Sequence, residues 1–473
     1  MIFSLYLRKN QTYIAMLVRF SVENFLSFNE RVVFSMIPGR GLLKNNHKTT
    51  PIKGISTLKT SVVLGANASG KSNLIKAISF GKKMVLRELS SEQIIDYDKF
   101  RLNANAVSKN SRLEFEIQQS GKNYAYGFVF NNKQIVEEWL YEITSKSGAE
   151  KLIYERDSSK SDPFNIAPLL KRNSKEEHAL FLKFVAKGTP DNRLFLKEVI
   201  SRKVKENVED VSDLLAVYDW FLNSLKVIFP DDKYKEGIKS ELVDNETLHK
   251  IFEELLNYFG TGINGICLHD VNLKNTNIPI EIIDSIKNDL LNSKSEDIRS
   301  ILTTPEFTYF ISRNGENIRT QKFMTKHDVI GRKEPEYFDT KDESDGTNRI
   351  IDYIPLIMDL LKGGNVFVID EMERSLHPNL IYDIFDLFLE FSSNINSQLI
   401  VASHESSLLT QKLFRKDEIW FVVKDKDGAS HLHSLEDYNI RFDKEIRKDY
   451  LLGRYKAVPR IGNRYELTTI KLM

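Results

Sequence analysis

The stretch that decides the fold is Ser61-Val-Val-Leu64-Gly65-Ala66-Asn67-Ala68-Ser69-Gly70-Lys71-Ser72-Asn73-Leu-Ile-Lys-Ala-Ile-Ser79. Its first four residues form a short apolar run, as a strand buried on both faces does. Residues 65–72 fit the pattern G-x-x-x-x-G-K-[ST], and residues 72–79 carry apolar side chains at helical spacing. Strand, glycine loop and helix, in that order, is the context in which this pattern cradles phosphate. The glycines let the backbone turn tightly, so that N–H groups converge on an anion. Lys71 is placed for the β- and γ-phosphates of a nucleotide, and Ser72 offers a hydroxyl to Mg²⁺. The helix start adds its positive dipole end. Gly65, Asn67, Ala68, Ser69, Gly70, Lys71, Ser72 and Asn73 are therefore the expected nucleotide-binding residues.

A second stretch, Asn365-Val-Phe-Val-Ile-Asp370-Glu371, is an apolar strand ending in two carboxylates. A strand buried on both faces delivers Asp370 to the carboxyl edge of the sheet, where α/β sheets bind ligands. There Asp370, with Ser72, is expected to hold Mg²⁺. Glu371 points elsewhere, because strand neighbours alternate. It is expected to polarise the water that attacks the γ-phosphate.

Three further pieces surround this pair. Glu343-Ser344-Asp345-Gly346-Thr347-Asn348 stands before an apolar helix at 349–361. Met372-Glu-Arg-Ser375-Leu376-His377-Pro378 follows the carboxylates, and Ala402-Ser-His404 ends the strand at 398–402. Taken in order, the set resembles the head of an ATP-binding-cassette ATPase. Asn24-Phe-Leu-Ser-Phe28, after a strand at 17–22, is similar to the N-terminal sheet of the SMC and OLD branch of that class. The likeness runs from Met16 to the tail, where Tyr450-Leu-Leu-Gly-Arg-Tyr455 and Ala457-Val-Pro459 also look familial. The chain resembles single-chain bacterial ATPases of that branch, many of which serve anti-phage systems of the abortive-infection, PARIS, Septu and retron types.

The resemblance implies an α/β fold: an ABC-ATPase head of the P-loop NTPase class, with a mixed sheet, an N-terminal antiparallel lobe and an inserted helical segment. It implies that Ser344 and Gly346 contact the γ-phosphate of ATP held by a second subunit's phosphate loop. Free N–H groups at a helix start suit that task. It implies that His404 hydrogen-bonds the γ-phosphate, and that Ser375 and His377 lie across the seam between heads. The alternatives are a strand-end histidine bonded to backbone for His404 and, for His377, no role in the seam. A homodimer or higher homo-oligomer formed on ATP follows, together with an effector partner, a nuclease or toxin encoded nearby. Two departures stand out. The signature reads Ser-Asp-Gly-Thr-Asn where the class has Ser-Gly-Gly-Gln, which places Asp345 near phosphates. The glutamine-bearing loop of the class has only Gln93 and Gln118 as candidates.

The pattern along the chain divides it into an extension at 1–15, an N-terminal part of the head at 16–169, a helical insert at 170–303, a C-terminal part of the head at 304–440 and a basic tail at 441–473. Apolar residues recur at helical spacing over 177–185, 211–225, 248–259 and 280–302. Residues 113–117 and 124–130 alternate about a turn at 121–123 and read as a hairpin. Lys71 and Ser344 lie 273 residues apart, and no sustained heptads fill the gap, so a compact insert for assembly or partner docking is expected rather than a coiled coil.

Composition bounds the rest. The 473 residues carry 67 basic and 66 acidic side chains, which excludes a generally basic nucleic-acid binder. The tail alone is basic, with nine basic and four acidic residues; nucleic-acid contact and plain solvation both fit it. Cys267 is the only cysteine, so neither an internal disulfide nor a Cys-based zinc cluster forms, in keeping with a cytoplasmic protein. Cys267-Leu-His269-Asp270 reads as structural rather than metal-binding. No apolar run reaches the ~18 residues of a membrane span. The leading function is an ATPase that controls an effector. The rivals are a repair-type ATPase acting on DNA and an ATP-binding scaffold, the latter opposed by Glu371.

Overall fold

The computed structural model describes residues 14–41, 43–144, 147–234, 245–272, 278–292, 299–303, 308–314, 317–438 and 445–459. They fall into two compact units. The larger takes the described parts of Gln11–Pro230, Leu360–Arg374 and Ile381–Met473.

It holds a seven-stranded antiparallel sheet in the order Val32–Ser35, Ala15–Glu23, Ser111–Gln119, Lys122–Phe130, Ile135–Ile143, Glu150–Asp157, Phe164–Asn165. The expected hairpin is present, with Leu113 opposite Phe128 and Phe115 opposite Tyr126. Its turn is two residues, Ser120 and Gly121, both at positive φ, rather than the three expected. Two left-handed residues match the right-handed twist of the flanking strands.

The second sheet has six strands, ordered Ser430–Ser434, Ile419–Lys424, Thr60–Leu64, Gln398–Ser403, Val366–Asp370, Leu225–Ile228. All pairs are parallel except the outermost, Ser430–Ser434 on Ile419–Lys424. The parallel strands therefore end on one edge. The phosphate loop after Leu64, the carboxylates after Ile369 and His404 after Ser403 all emerge there.

One apolar core joins the two sheets. Leu74, Ile75 and Ile78 of the helix Lys71–Leu86 pack there with Phe20, Phe115, Trp220 and Phe221. The last two correct the expected boundary at 170. Helices such as Phe195–Ser201 and Ser212–Asp219 are too short to stand alone and bury their apolar faces in this core. Leu225–Ile228 then joins the parallel sheet as its edge strand. Glu138, fully buried on the core side, binds the two regions: it accepts from the Tyr126 and Tyr154 hydroxyls and from the N–H groups of Phe195 and Leu196.

The smaller unit takes the described parts of Asp231–Asp359 with Ser375–Leu380. It contains the helices Glu246–Tyr258 and Ile280–Asn292 and an antiparallel sheet ordered Gly265–Asp270, Asn317–His327, Thr308–Asn314, Arg299–Thr303, with Glu336–Phe338 on Asn317–His327. The helical insert expected at 170–303 thus also carries the strands Gly265–Asp270 and Arg299–Thr303. The helix expected over 280–302 stops at Asn292, and Arg299–Thr303 pairs with Thr308–Asn314 instead.

Residues 1–13 of the expected extension lie outside the described residues, while Ala15 is already buried in a strand. The tail is docked where it is described: Tyr450 and Tyr455 stack on Phe421 of the parallel sheet, with ring centroids 5.8 and 4.9 Å away. No described helix is long and apolar enough to cross a membrane.

Candidate active site

At the shared edge lies a cleft of about 770 Å³ lined by Asn67, Ala68, Ser69, Gly70, Lys71, Ser72 and Asn73 on one side and by Glu371, Glu373 and His404 on the other. That volume suits a nucleotide-sized ligand. Gly70 has φ 116 and begins the helix Lys71–Leu86, which no side chain caps. The loop is braced from behind by two hydroxyls, Ser27 and Ser430, and by the Asn73 amide. The Ser430 hydroxyl bonds the Ser69 carbonyl at 2.6 Å and the Ser27 hydroxyl at 2.8 Å, and the Asn73 amide donates to Ser27 at 2.8 Å. The Ser69 hydroxyl is buried and has no protein partner among the described residues. An orphaned donor beside uncapped N–H groups fits a phosphate as the missing acceptor.

Lys71 is 4% exposed, and its ammonium donates to the carbonyls of Gly65 at 2.8 Å and Ala66 at 3.1 Å. It also faces His404 Nδ1 at 3.3 Å. Burial pulls Lys71 down to about 8, against the carboxylates of Glu373, Asp370 and Glu371. Burial, and then the Lys71 charge, lowers His404 below the ordinary histidine range. A neutral imidazole that accepts at Nδ1 carries its proton on Nε2. That nitrogen stands 3.8 Å from Glu371 Oε1.

The Ser72 hydroxyl donates to Asp370 Oδ1 at 3.2 Å. Burial raises Asp370 above the usual aspartate range, with the Ser72 bond opposing. A hydroxyl and a carboxylate in contact form an oxygen-only donor pair, as Mg²⁺ requires when substrate phosphates complete its shell. Glu371 sits just past the strand with φ 50, its N–H bonded to the Ala402 carbonyl at 2.9 Å. A non-glycine residue held in the left-handed region is the kind of local strain that collects at working sites.

Ser344 and Gly346 belong to the smaller unit. Ser344 caps the helix Asp345–Lys362, its hydroxyl accepting the Thr347 N–H at 3.1 Å. Gly346 stands at a close approach: a Cβ there would lie 3.0 Å from the Ser375 carbonyl. Asp345 is exposed at the helix start. His377 Nδ1 accepts the Asn379 N–H at 3.2 Å, which gives it a capping role within its own turn. Neither glutamine candidate lines the cleft. Gln118 is buried and bonded to Ile55 and Asn123, and Gln93 closes a turn with Ser90. Asp270 pairs with Arg319 at 2.7 Å, and His269 packs on Tyr337. The sequence reading missed Glu373, which carries no motif signal of its own, and the Ser27–Ser430 contact, which spans 403 residues.

The solved structures similar to the chain include three SMC heads. One, described as the SmcHead bound to the C-winged helix domain of ScpA, has 12% identity and a TM-score of 0.38 over 88% of this chain and 97% of that one. The SMC head domain from Thermotoga maritima has 12% identity and a TM-score of 0.36 over 88% and 98%. The Smc head domain with an extended coiled coil, bound to the C-terminal domain of ScpA derived from Pyrococcus furiosus, has 14% identity and a TM-score of 0.35 over 94% and 100%. Likeness of this degree carries nothing about activity. No curated protein matches the chain. Residues 61–410, from the strand before the phosphate loop to just beyond His404, match the family described as "AAA domain, putative AbiEii toxin, Type IV TA system", and the chain belongs to that family.

Proposed function

We propose that this chain is a Mg²⁺-dependent ATPase whose heads pair on ATP and whose cycle governs an effector protein in abortive-infection-type phage defence. The observation that carries the ATPase part is the convergence of Lys71, Ser72, Asp370, Glu371 and His404 on one cleft at one sheet edge. Bound Mg²⁺ would draw charge from the β- and γ-phosphates, held there by Ser72 and Asp370. The phosphate loop binds the anion through backbone N–H groups, and Lys71 neutralises it. Glu371 accepts the proton of the attacking water. His404 donates from Nε2 to the γ-phosphate. Ser344 caps its helix and shares a hydrogen bond with the Thr347 hydroxyl at 2.9 Å, and the helix start beside it suits a phosphate held by a second copy. The family's description names an AbiEii toxin and a type IV toxin–antitoxin system, which agrees with a defence role.

The test is the mass of Glu371→Gln with and without Mg²⁺-ATP. The reading expects a monomer that becomes a stable dimer or larger ring on ATP and reverts on exchange into ADP. A particle that binds ATP and stays monomeric removes the pairing; failure to bind ATP removes the ATPase reading. The effector part stands or falls on recovery of a stoichiometric partner from the native host.

A further inference from the structure

Glu373 is the carboxylate of the cleft that has no assigned task. It lies in the turn after the acidic pair, where the Arg374 N–H returns to the Glu371 carbonyl at 3.1 Å. The left-handed φ of Glu371 reverses the chain there and brings Glu373 back beside the parallel sheet's edge. Its Oε1 accepts the main-chain N–H of His404 at 2.5 Å. Its Oε2 is buried and bonds to no protein group among the described residues.

His404 needs such a support. It is the first residue beyond the strand Gln398–Ser403, and its side chain is 36% exposed. Packing alone leaves such a ring several rotamers. The reach of its imidazole is therefore set by where its backbone is held. The bond from Glu373 spans two adjacent strand ends, one carrying Asp370 and Glu371, the other carrying His404. Among the carboxylates, Glu373 also acts most strongly on the charges of both Lys71 and His404.

Resting on the ATPase reading, we propose that Glu373 is a positioning residue: by accepting the His404 main-chain N–H it fixes the imidazole at the distance from which Nε2 reaches the γ-phosphate. The residue acts through His404 and touches no reacting atom itself.

Two substitutions separate the hydrogen bond from the charge. Glu373→Gln keeps a carbonyl oxygen for the His404 N–H; Glu373→Ala removes it. With Mg²⁺-ATP, Glu373→Ala should lower kcat by about 10- to 100-fold with KM within about threefold, while Glu373→Gln stays within about threefold of wild type on both. Added to His404→Ala, Glu373→Ala should cost nothing further, because the two act as a unit. Amide exchange over residues 400–408 reads the contact directly: it should be slow in wild type and Glu373→Gln and faster in Glu373→Ala. The proposal is overturned if Glu373→Ala exchanges as wild type, if Glu373→Gln loses as much turnover as Glu373→Ala, or if the double variant falls below His404→Ala. A wild-type protein without turnover would remove the ATPase reading instead, and the exchange result would still decide the contact.

Discussion

Replacing Gly70 by alanine tests whether the phosphate loop is held as tightly as its bracing implies. Gly70 has φ 116, a region that L-residues rarely adopt, and an added Cβ would lie 2.3 Å from the Ser430 hydroxyl and 2.8 Å from the Ser27 hydroxyl. The backbone change costs about 1–2 kcal/mol for a residue with a Cβ. The overlap adds about 1–3 kcal/mol, as overpacking does where neighbours cannot yield. Ser430 cannot yield cheaply, since its hydroxyl is committed to the Ser69 carbonyl and to Ser27. The loss appears either as lower stability or, if the loop shifts to relieve it, as weaker nucleotide binding. Were all of it to fall on binding, even the lower end of the sum, about 2 kcal/mol, would weaken ATP by about 30-fold. The assay is a titration with fluorescent ATP and a denaturant curve on the same sample, their two losses summed. Adding Ser430→Ala should return only part of the overlap, because the Ser430 Cβ and the Ser27 hydroxyl still lie 2.9 and 2.8 Å from the added Cβ. Wild-type affinity and midpoint in Gly70→Ala would refute the reasoning.

Three other outcomes follow from buried groups. Glu138→Ala strands four donors, the Tyr126 and Tyr154 hydroxyls and the N–H groups of Phe195 and Leu196. It should lower stability by about 3–5 kcal/mol in a denaturant curve, and a loss below about 1 kcal/mol would show that Glu138 does not hold the helices to the lobe. Lys59 is 1% exposed, donates to the carbonyls of Ser392 and Ser393, and is lowered by burial to about 8. Between about 8 and the usual lysine value near 10.5 the unfolded chain holds the extra proton, so wild-type stability should rise with pH there relative to Lys59→Met. A difference that is flat or falls across that window contradicts the shift. Tyr455→Ala removes a ring stacked 4.9 Å from Phe421 and should cost about 3 kcal/mol, with faster proteolysis of the C-terminal segment; no change would mean that the segment is not docked.

The parts of the site that could be read from the sequence share one property. Thr60–Leu64, Val366–Asp370 and Gln398–Ser403 are buried on both faces, so each carries a short apolar run, 62–64, 366–369 or 399–402, shortly before a candidate site residue. Glu373 was not legible, because its role depends on the φ of 50 at Glu371, which no residue type announces. The brace behind the phosphate loop joins Ser27 to Ser430 through small polar side chains that look like any surface turn. The boundary at 170 failed because helical spacing shows that a face is buried and not against what. Here it is buried against the lobe sheet. The strand Arg299–Thr303 was misread for a related reason. Arg299–Thr303 continues the apolar spacing of the helix before it, and only its pairing with Thr308–Asn314 makes it a strand.

The most direct measurement is phosphate release from Mg²⁺-ATP by wild type and Glu371→Gln, with ATP affinity determined for both. Steady turnover in the wild type should fall by about 100-fold or more in Glu371→Gln, because the carboxylate that takes the proton of water is gone, while affinity stays within about threefold. Equal turnover in the two proteins, or a wild type that does not bind ATP, would contradict the account.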